Sequence, residues 1–123
     1  MINHSLDEKT GILHIRPRSA LAKADFEQLA RAVDPYIEKA GKLAGIVVEF
    51  DEFPGWQSFG ALAAHLRFVR EHHKLVRRIG VVTNSPLADV MPKLASHFVA
   101  AEIRHFPAGQ PQAAKAWILG GAT

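Results

Sequence analysis

Three consecutive branched apolar residues, Ile46, Val47 and Val48, occupy the middle of the segment 43–50. A strand with one face in water alternates apolar and polar residues, whereas an unbroken apolar run is typical of a strand that is covered on both faces. Sheets of that kind are built from strands joined by helical crossovers, which place helices above and below the sheet. The run therefore predicts the central strand of an α/β domain.

A Pro-Gly-Trp turn leads from this strand into a long amphipathic helix, which we expect to be capped by Gln57 or Ser58 and to end near His73. One apolar stripe at steps of three and four positions is expected to face the sheet. A helix needs only one face to cover its sheet, so a second, partly apolar stripe is a candidate interface. The first stripe is Phe59, Leu62, Ala63, Leu66 and Val69, and the candidate interface is Ala61, His65, Phe68 and His72.

Turn-forming residues divide the rest of the chain into short elements, with no internal repeat and no linker. A hairpin around Gly11 is expected at the start, and Pro35 is expected to kink or restart the first helix. Strands are predicted over 2–6, 12–16, 43–50, 78–83 and 103–106, and helices over 24–40, 58–73, 87–98 and 111–119. The order β-β-α-β-α-β-α-β-α predicts one α/β domain over residues 1–123, with a five-stranded, mixed but mostly parallel sheet and four helices.

The amino-acid composition excludes several kinds of functional site. The chain has 123 residues and no cysteine, which excludes disulfides, a thiol nucleophile and a cysteine-ligated metal. Polar residues interrupt the first twenty positions, so neither a secretory signal nor a membrane span is predicted there, and the expected location is the cytoplasm.

Positive charge is concentrated where the second helix is expected to end. The formal net charge of the chain is +3, and the clustered basic residues are Arg67, Arg70, Lys74, Arg77 and Arg78. They suit a solvated helix end or a weak contact with an anionic membrane. No nucleic-acid-binding module accompanies them, so we expect no nucleic-acid partner.

Several segments, taken in order, resemble one known family. They are FPGW at 53–56, LRFVREHHK at 66–74, RRIGVVT at 77–83, EIRHFP at 102–107 and the pair Ala116 and Trp117. In order and spacing they resemble the SpoIIAA-like proteins, whose fold is that of STAS domains and anti-sigma-factor antagonists. The resemblance covers essentially the whole chain. It implies a β/α superhelix around a mostly parallel five-stranded sheet, a fold also seen in lipid-carrying CRAL-TRIO domains.

In the anti-sigma-factor antagonists, a serine at the start of the helix after the central strand is phosphorylated within an Asp-Ser-Ser-Gly motif. Aligned on Gly60, this chain has Gln57, Ser58 and Phe59 before the glycine, so Phe59 replaces the phosphorylated serine. Ser58 does not inherit the switch by position. It is a candidate phosphorylation site because free N–H groups at a helix start favour an anion, although N-capping is the ordinary role of such a serine.

Ligands of open α/β sheets bind outside the carboxyl ends of the strands, where the loops after two neighbouring strands are expected to meet. Aromatic and polar side chains in these loops would form a crevice for a ligand or partner. The residues are Asp51, Phe53, Trp56, Gln57, Ser58 and Phe59 after the central strand, and Thr83, Asn84 and Ser85 after the next. The alternative is that Phe53 and Trp56 only pack the loop onto the helix.

No complete catalytic constellation is present in the sequence. Asp51 and Glu52, the two consecutive carboxylates after the central strand, are expected to point in opposite directions and so to be poor acid/base partners. Neither Ser58 nor Ser85 lies in a GxSxG motif, which a hydrolase nucleophile would need. His65 and His72 are two turns apart on the second helix, too far to share a metal ion. We therefore expect no enzyme activity, no metal and no cofactor.

Two functions remain open from the sequence. The first is a non-catalytic interaction or regulatory module that uses the loop and helix after the central strand to bind a protein partner or to form a homodimer. The second is a carrier or sensor of a small apolar or amphiphilic ligand, held in a crevice near Trp56.

Overall fold

A computed structural model of the chain describes residues 1–87, Lys93 and residues 99–120. Five strands form one sheet, and they lie side by side in the order of the chain. The strands are β1 (Ile2–Asp7), β2 (Ile12–Pro17), β3 (Leu43–Glu49), β4 (Val76–Val82) and β5 (Glu102–Phe106). β1 and β2 form an antiparallel hairpin and all later neighbours are parallel, so the predicted mixed, mostly parallel sheet is confirmed.

Three α-helices lie within the described residues: α1 (Lys23–Ala40), α2 (Phe59–His72) and α3 (Pro111–Ile118), with a short 3-10 helix, His73–Leu75, after α2. The sequence predicts four, but the helix predicted over 87–98 lies outside the described residues apart from Leu87 and Lys93. Pro35 neither breaks nor restarts α1. Val33 and Ile37, on either side of it, are both buried, so core packing holds the helix together across the missing backbone hydrogen bond.

β3 is the middle strand, as the apolar run predicts. It pairs with β2 on one side and β4 on the other. Successive side chains of a strand point to opposite faces. Ile46 packs in a first core layer with the apolar face of α1, whereas Val47 is fully buried in a second layer beneath α3. The unbroken run is therefore explained by burial on both faces of the sheet.

Two strand residues beneath α3 are glycines, and the helix occupies the space that their side chains would need. A Cβ atom on Gly45 would lie 2.6 Å from the carbonyl oxygen of Arg78 and 2.6 Å from Cγ2 of Ile118, and one on Gly80 would lie 2.9 Å from Cβ of Ala114. Contacts that short exclude any larger residue without movement of the helix or the strand. The two glycines thus set the distance at which α3 seals the second face.

Arg78 does not belong to the basic surface predicted from the sequence. Its guanidinium lies 4.9 Å from the centre of the Trp117 ring and donates a hydrogen bond to the Trp117 carbonyl oxygen. Arg78 lies in β4, whose side chains alternate between the faces, and its position points toward α3 rather than to solvent. The remaining members of the predicted cluster, Arg67, Arg70, Lys74 and Arg77, are exposed.

Candidate functional site

The loops that follow β3 and β4 lie side by side at the carboxyl edge of the sheet. The backbone N–H of Phe50 donates to the carbonyl oxygen of Val82 at 3.2 Å, and Oγ1 of Thr83 donates to the carbonyl oxygen of Asp51 at 3.3 Å. This is the arrangement expected when two parallel neighbours end at the same edge. Of the predicted crevice residues, the structure therefore brings Asp51 and Thr83 together.

Three polar side chains of these loops, those of Thr83, Asn84 and Ser58, hold the backbone in shape. Thr83 is fully buried, and its Oγ1 accepts a hydrogen bond from the backbone N–H of Ser85 at 3.1 Å. Oδ1 of Asn84 accepts from the N–H of Ala108 at 3.0 Å. Oγ of Ser58 accepts from the N–H of Ala61 at 3.1 Å, which makes Ser58 the N-cap of α2. These groups act on the backbone rather than presenting donors and acceptors to a ligand.

The predicted orientation of α2 is wrong. In the candidate interface stripe, Ala61 is 1% exposed and His72 7% exposed, so these two residues face the protein interior. In the stripe expected to cover the sheet, Phe59 is 92% exposed and Leu66 62% exposed. Both stripes carry apolar residues at helical spacing, so hydrophobicity alone does not distinguish them.

The physical reason for the reversal is that the inward face of α2 packs mainly against α1. The His65 ring stacks on Phe26 of α1, with ring centres 4.8 Å apart, and Nε2 of His72 lies 2.7 Å from a carboxylate oxygen of Asp34. Histidine has an apolar ring face and polar edges, so it fits a partly buried helix contact when its nitrogens find partners. Nδ1 of His72 has such a partner in the Phe68 carbonyl oxygen at 2.8 Å.

A continuous series of aromatic rings connects the loop after β3 to α2. Trp56 packs edge-on against Phe53 at 5.0 Å, and its indole N–H donates to Nδ1 of His65 at 3.0 Å. Phe53 in turn contacts Phe50 at 6.1 Å. Trp56 stays 40% exposed. The two loop aromatics therefore pack the loop onto the helix, which is the alternative that the sequence left open.

Burial has an electrostatic consequence for His65. Removal of the ring from water disfavours its charged form, so the pKa of His65 lies below the ordinary histidine value of 6.5. Because the indole N–H of Trp56 can only donate, Nδ1 of His65 must accept, and the neutral ring carries its proton on Nε2.

A cavity of about 240 Å³ lies between the first face of the sheet and the two helices α1 and α2. Its floor consists of branched residues from four strands: Ile15, Ile46, Val48, Ile79, Val81 and Ile103. Phe53 and His65 contribute to its wall, whereas Trp56 and Phe59 do not line it. Among the described residues that line the cavity there is no Lys, Arg, Asp or Glu. The sequence analysis missed this space because it depends on how far α1 and α2 stand from the sheet.

The fold can be compared with known proteins. The model of the SpoIIAA-like family matches residues 12–119, which is most of the chain. The chain belongs to the SpoIIAA-like family. A solved structure, that of an uncharacterized DUF3478-family protein with a SpoIIAA-like fold from Shewanella loihica PV-4, is similar to it with a TM-score of 0.76 and 19% sequence identity. That similarity covers 95% of this chain and 93% of the other, and it shows a shared fold. No curated protein matches the chain.

Membership of the SpoIIAA-like family fits a non-catalytic domain of the kind that mediates interactions between proteins. Over the parts of the chain that the structure describes, no three side chains of the metal-binding types converge on one point. Within residues 1–87 and 99–120, no helix combines the length and the apolar character needed to cross a bilayer.

Proposed function

We propose that this SpoIIAA-like domain binds a small apolar or amphiphilic molecule in the cavity between the sheet and the helices α1 and α2, and acts as its carrier or sensor. The observation that supports the proposal is the cavity itself, which has a volume of about 240 Å³ and walls that are almost entirely apolar. Binding pockets for small molecules combine such walls with a few polar groups.

The energetic argument starts from what an empty cavity does to stability. Apolar wall surface that stays in contact with water is less favourable than covered surface by about 25 cal/mol per Å², and this cavity is partly open to solvent. Water gains little in such a space because it finds few polar partners there. An apolar occupant removes this unfavourable contribution.

The volume also sets the size of the occupant. An apolar cavity of about 150 Å³ is large enough for benzene. In proportion, a cavity of about 240 Å³ has room for about ten non-hydrogen atoms. Butylbenzene and alkyl chains of similar size are therefore suitable test ligands.

Titration of the purified protein with butylbenzene tests the proposal. Calorimetry is expected to show saturable binding, and the midpoint of thermal unfolding is expected to rise because the ligand binds only the folded state. Val81→Phe, which fills part of the cavity, should abolish binding, whereas Leu66→Phe on the exposed face of α2 should not. Absence of saturable binding up to the solubility limit of butylbenzene, with no rise in the unfolding midpoint, would contradict the proposal.

A second candidate function is self-association through the outer face of α2. The observation that favours it is the exposure of two large apolar side chains on one helix face, Phe59 at 92% and Leu66 at 62%. Contiguous exposed apolar residues often mark contact surfaces. Sedimentation velocity over a wide concentration range is expected to show a dimer that Phe59→Ser and Leu66→Ser weaken. A monomer at every concentration would exclude self-association.

A further inference from the structure

His65 is the polar residue of the cavity wall whose ring is held most firmly. Its face stacks on Phe26, with ring centres 4.8 Å apart and planes 17° from parallel. Its Nδ1 atom accepts the indole N–H of Trp56 at 3.0 Å. One contact fixes the plane of the ring, and the other fixes its rotation within that plane. A ring held in this way can direct a hydrogen bond with little loss of rotational freedom.

The contact with Trp56 also determines which ring nitrogen of His65 carries the proton. Nδ1 is an acceptor, so the neutral ring carries its hydrogen on Nε2. None of the hydrogen bonds of the described residues involves Nε2 of His65, and this atom is not sealed from solvent. The ring is part of the wall of an apolar cavity, and its Nε2–H donor is not used by another residue. Burial also holds the pKa of His65 below its ordinary value, which keeps the ring in the neutral, single-donor form.

The other two histidines of the cavity wall are less suited to this role. Both ring nitrogens of His72 lie next to oxygen acceptors, the Phe68 carbonyl and the Asp34 carboxylate, so neither is available to a ligand. Nδ1 of His73 accepts the N–H of Ala100 at 3.0 Å, in an exposed connection beyond the end of α2. His73 is therefore the competing donor of the cavity wall, because its Nδ1 is also an acceptor and its Nε2 would carry the proton of the neutral ring.

We propose that the occupant of the cavity is an uncharged amphiphile with a single carbonyl-type oxygen, such as a ketone or an ester, and that Nε2–H of His65 donates a hydrogen bond to that oxygen. This inference rests on the proposed function. A ligand with no acceptor would leave the donor unpaired. A carboxylate would be buried where the described wall residues offer no Lys or Arg as a counterion, which is strongly unfavourable.

Three compounds with the same number of carbon atoms test the inference: butylbenzene, butyrophenone and phenylbutanoate. Their affinities are compared by calorimetry at a pH above the ordinary histidine pKa, where phenylbutanoate is ionised. We expect butyrophenone to bind about three- to tenfold more tightly than butylbenzene, the increment of one hydrogen bond between neutral groups. Phenylbutanoate is expected to bind more weakly than butyrophenone.

Two matched variants assign the hydrogen bond. His65→Phe keeps a ring against Phe26 but removes the donor, so the preference for the ketone over the hydrocarbon should disappear while butylbenzene still binds. His73→Phe should leave the preference unchanged. A measurement on the unmodified protein does not depend on the folding of either variant. In a long-range ¹H–¹⁵N spectrum, Nε2 of His65 should be the protonated nitrogen, and its proton should move further downfield with butyrophenone than with butylbenzene.

The possible results separate the two proposals. If butylbenzene binds and butyrophenone binds no more tightly, the role of His65 is refuted while the binding function stands. If phenylbutanoate binds most tightly, the uncharged class of ligand is refuted. If His73→Phe removes the preference for the ketone and His65→Phe does not, the hydrogen-bond donor is His73 and the role of His65 is refuted. If none of the three compounds binds, the binding function itself fails.

Discussion

The same small change, valine to isoleucine, should have opposite effects on the two faces of β3 and β4. Val48 and Val81 are paired across these strands, and both line the cavity. Val47 and Val82 are their chain neighbours, and both are fully buried in the layer beneath α3. Isoleucine keeps the β-branch that strands favour and adds one methylene. The sign of the stability change therefore reports whether there is free space beside each side chain.

The size of each change in the free energy of unfolding follows from the free space around the substituted valine. Each methylene placed in the cavity should contribute up to about 0.8 kcal/mol, so the double variant Val48→Ile and Val81→Ile gains about 1.5 kcal/mol. In the packed layer there is no room, and Val47→Ile with Val82→Ile should lose about 1–3 kcal/mol per site. Urea unfolding followed by tryptophan fluorescence measures both. With a denaturant slope of about 1.5 kcal/mol per molar, the cavity variant should shift the midpoint upward by about 1 M.

Equal destabilisation by the two double variants would refute the reasoning, because it would mean that the space beside Val48 and Val81 is already filled in solution. The unfolding slope should stay the same in both, since neither substitution changes the surface exposed on unfolding appreciably. The cavity variant should also bind butylbenzene more weakly than the unmodified protein, whereas the variant in the packed layer should not.

Three further predictions concern single residues. Gly45→Ala should lower the free energy of unfolding by about 3 kcal/mol, because the new Cβ would lie 2.6 Å from the backbone and from Ile118. Gly60→Ala, in the first turn of α2, should raise the free energy of unfolding by about 0.5–1 kcal/mol. Urea unfolding measures both changes. Ser58→Ala removes the N-cap bond of α2 and should cost about 1 kcal/mol in the same assay, so an unchanged midpoint would rule out the cap. Burial lowers the pKa of His65, so below a pH of about 6.5 the unfolded chain binds a proton that the folded protein does not bind. The free energy of unfolding should therefore fall as the pH drops below about 6.5, by at most about 1.4 kcal/mol per pH unit. His65→Phe should remove that part of the pH dependence.

The sheet could be predicted from the sequence because its signals are local and mutually consistent. The run Ile46 to Val48 needs burial on both sides, and that requirement alone places it in the middle of a layered sheet. Gly11 is correctly placed at the turn of the first hairpin. Pro35 was misleading, because its unfavourable local effect is outweighed by the buried residues on both sides of it.

The candidate site was harder to predict because it depends on which of two similar helix faces turns inward. In α2, Phe59 and Leu66 are more hydrophobic than Ala61 and His72, yet the structure exposes the first pair and buries the second. The choice follows from partners on a different helix, such as Asp34 for His72, which is distant in sequence. A hydrogen bond between residues 56 and 65 has no sequence signature, and neither does an unfilled volume.

Strand order has a consequence for the order in which the protein can assemble during synthesis. Each strand pairs with the one made just before it, so the sheet can grow outward from the first hairpin as the chain emerges. The other face of the sheet is covered last, because α3, which covers Gly45 and Gly80, is the last described element of the chain. Until that helix is released from the ribosome, an apolar surface around Val47 stays open to water, which makes the late nascent chain a natural client for chaperones that recognise exposed apolar surface.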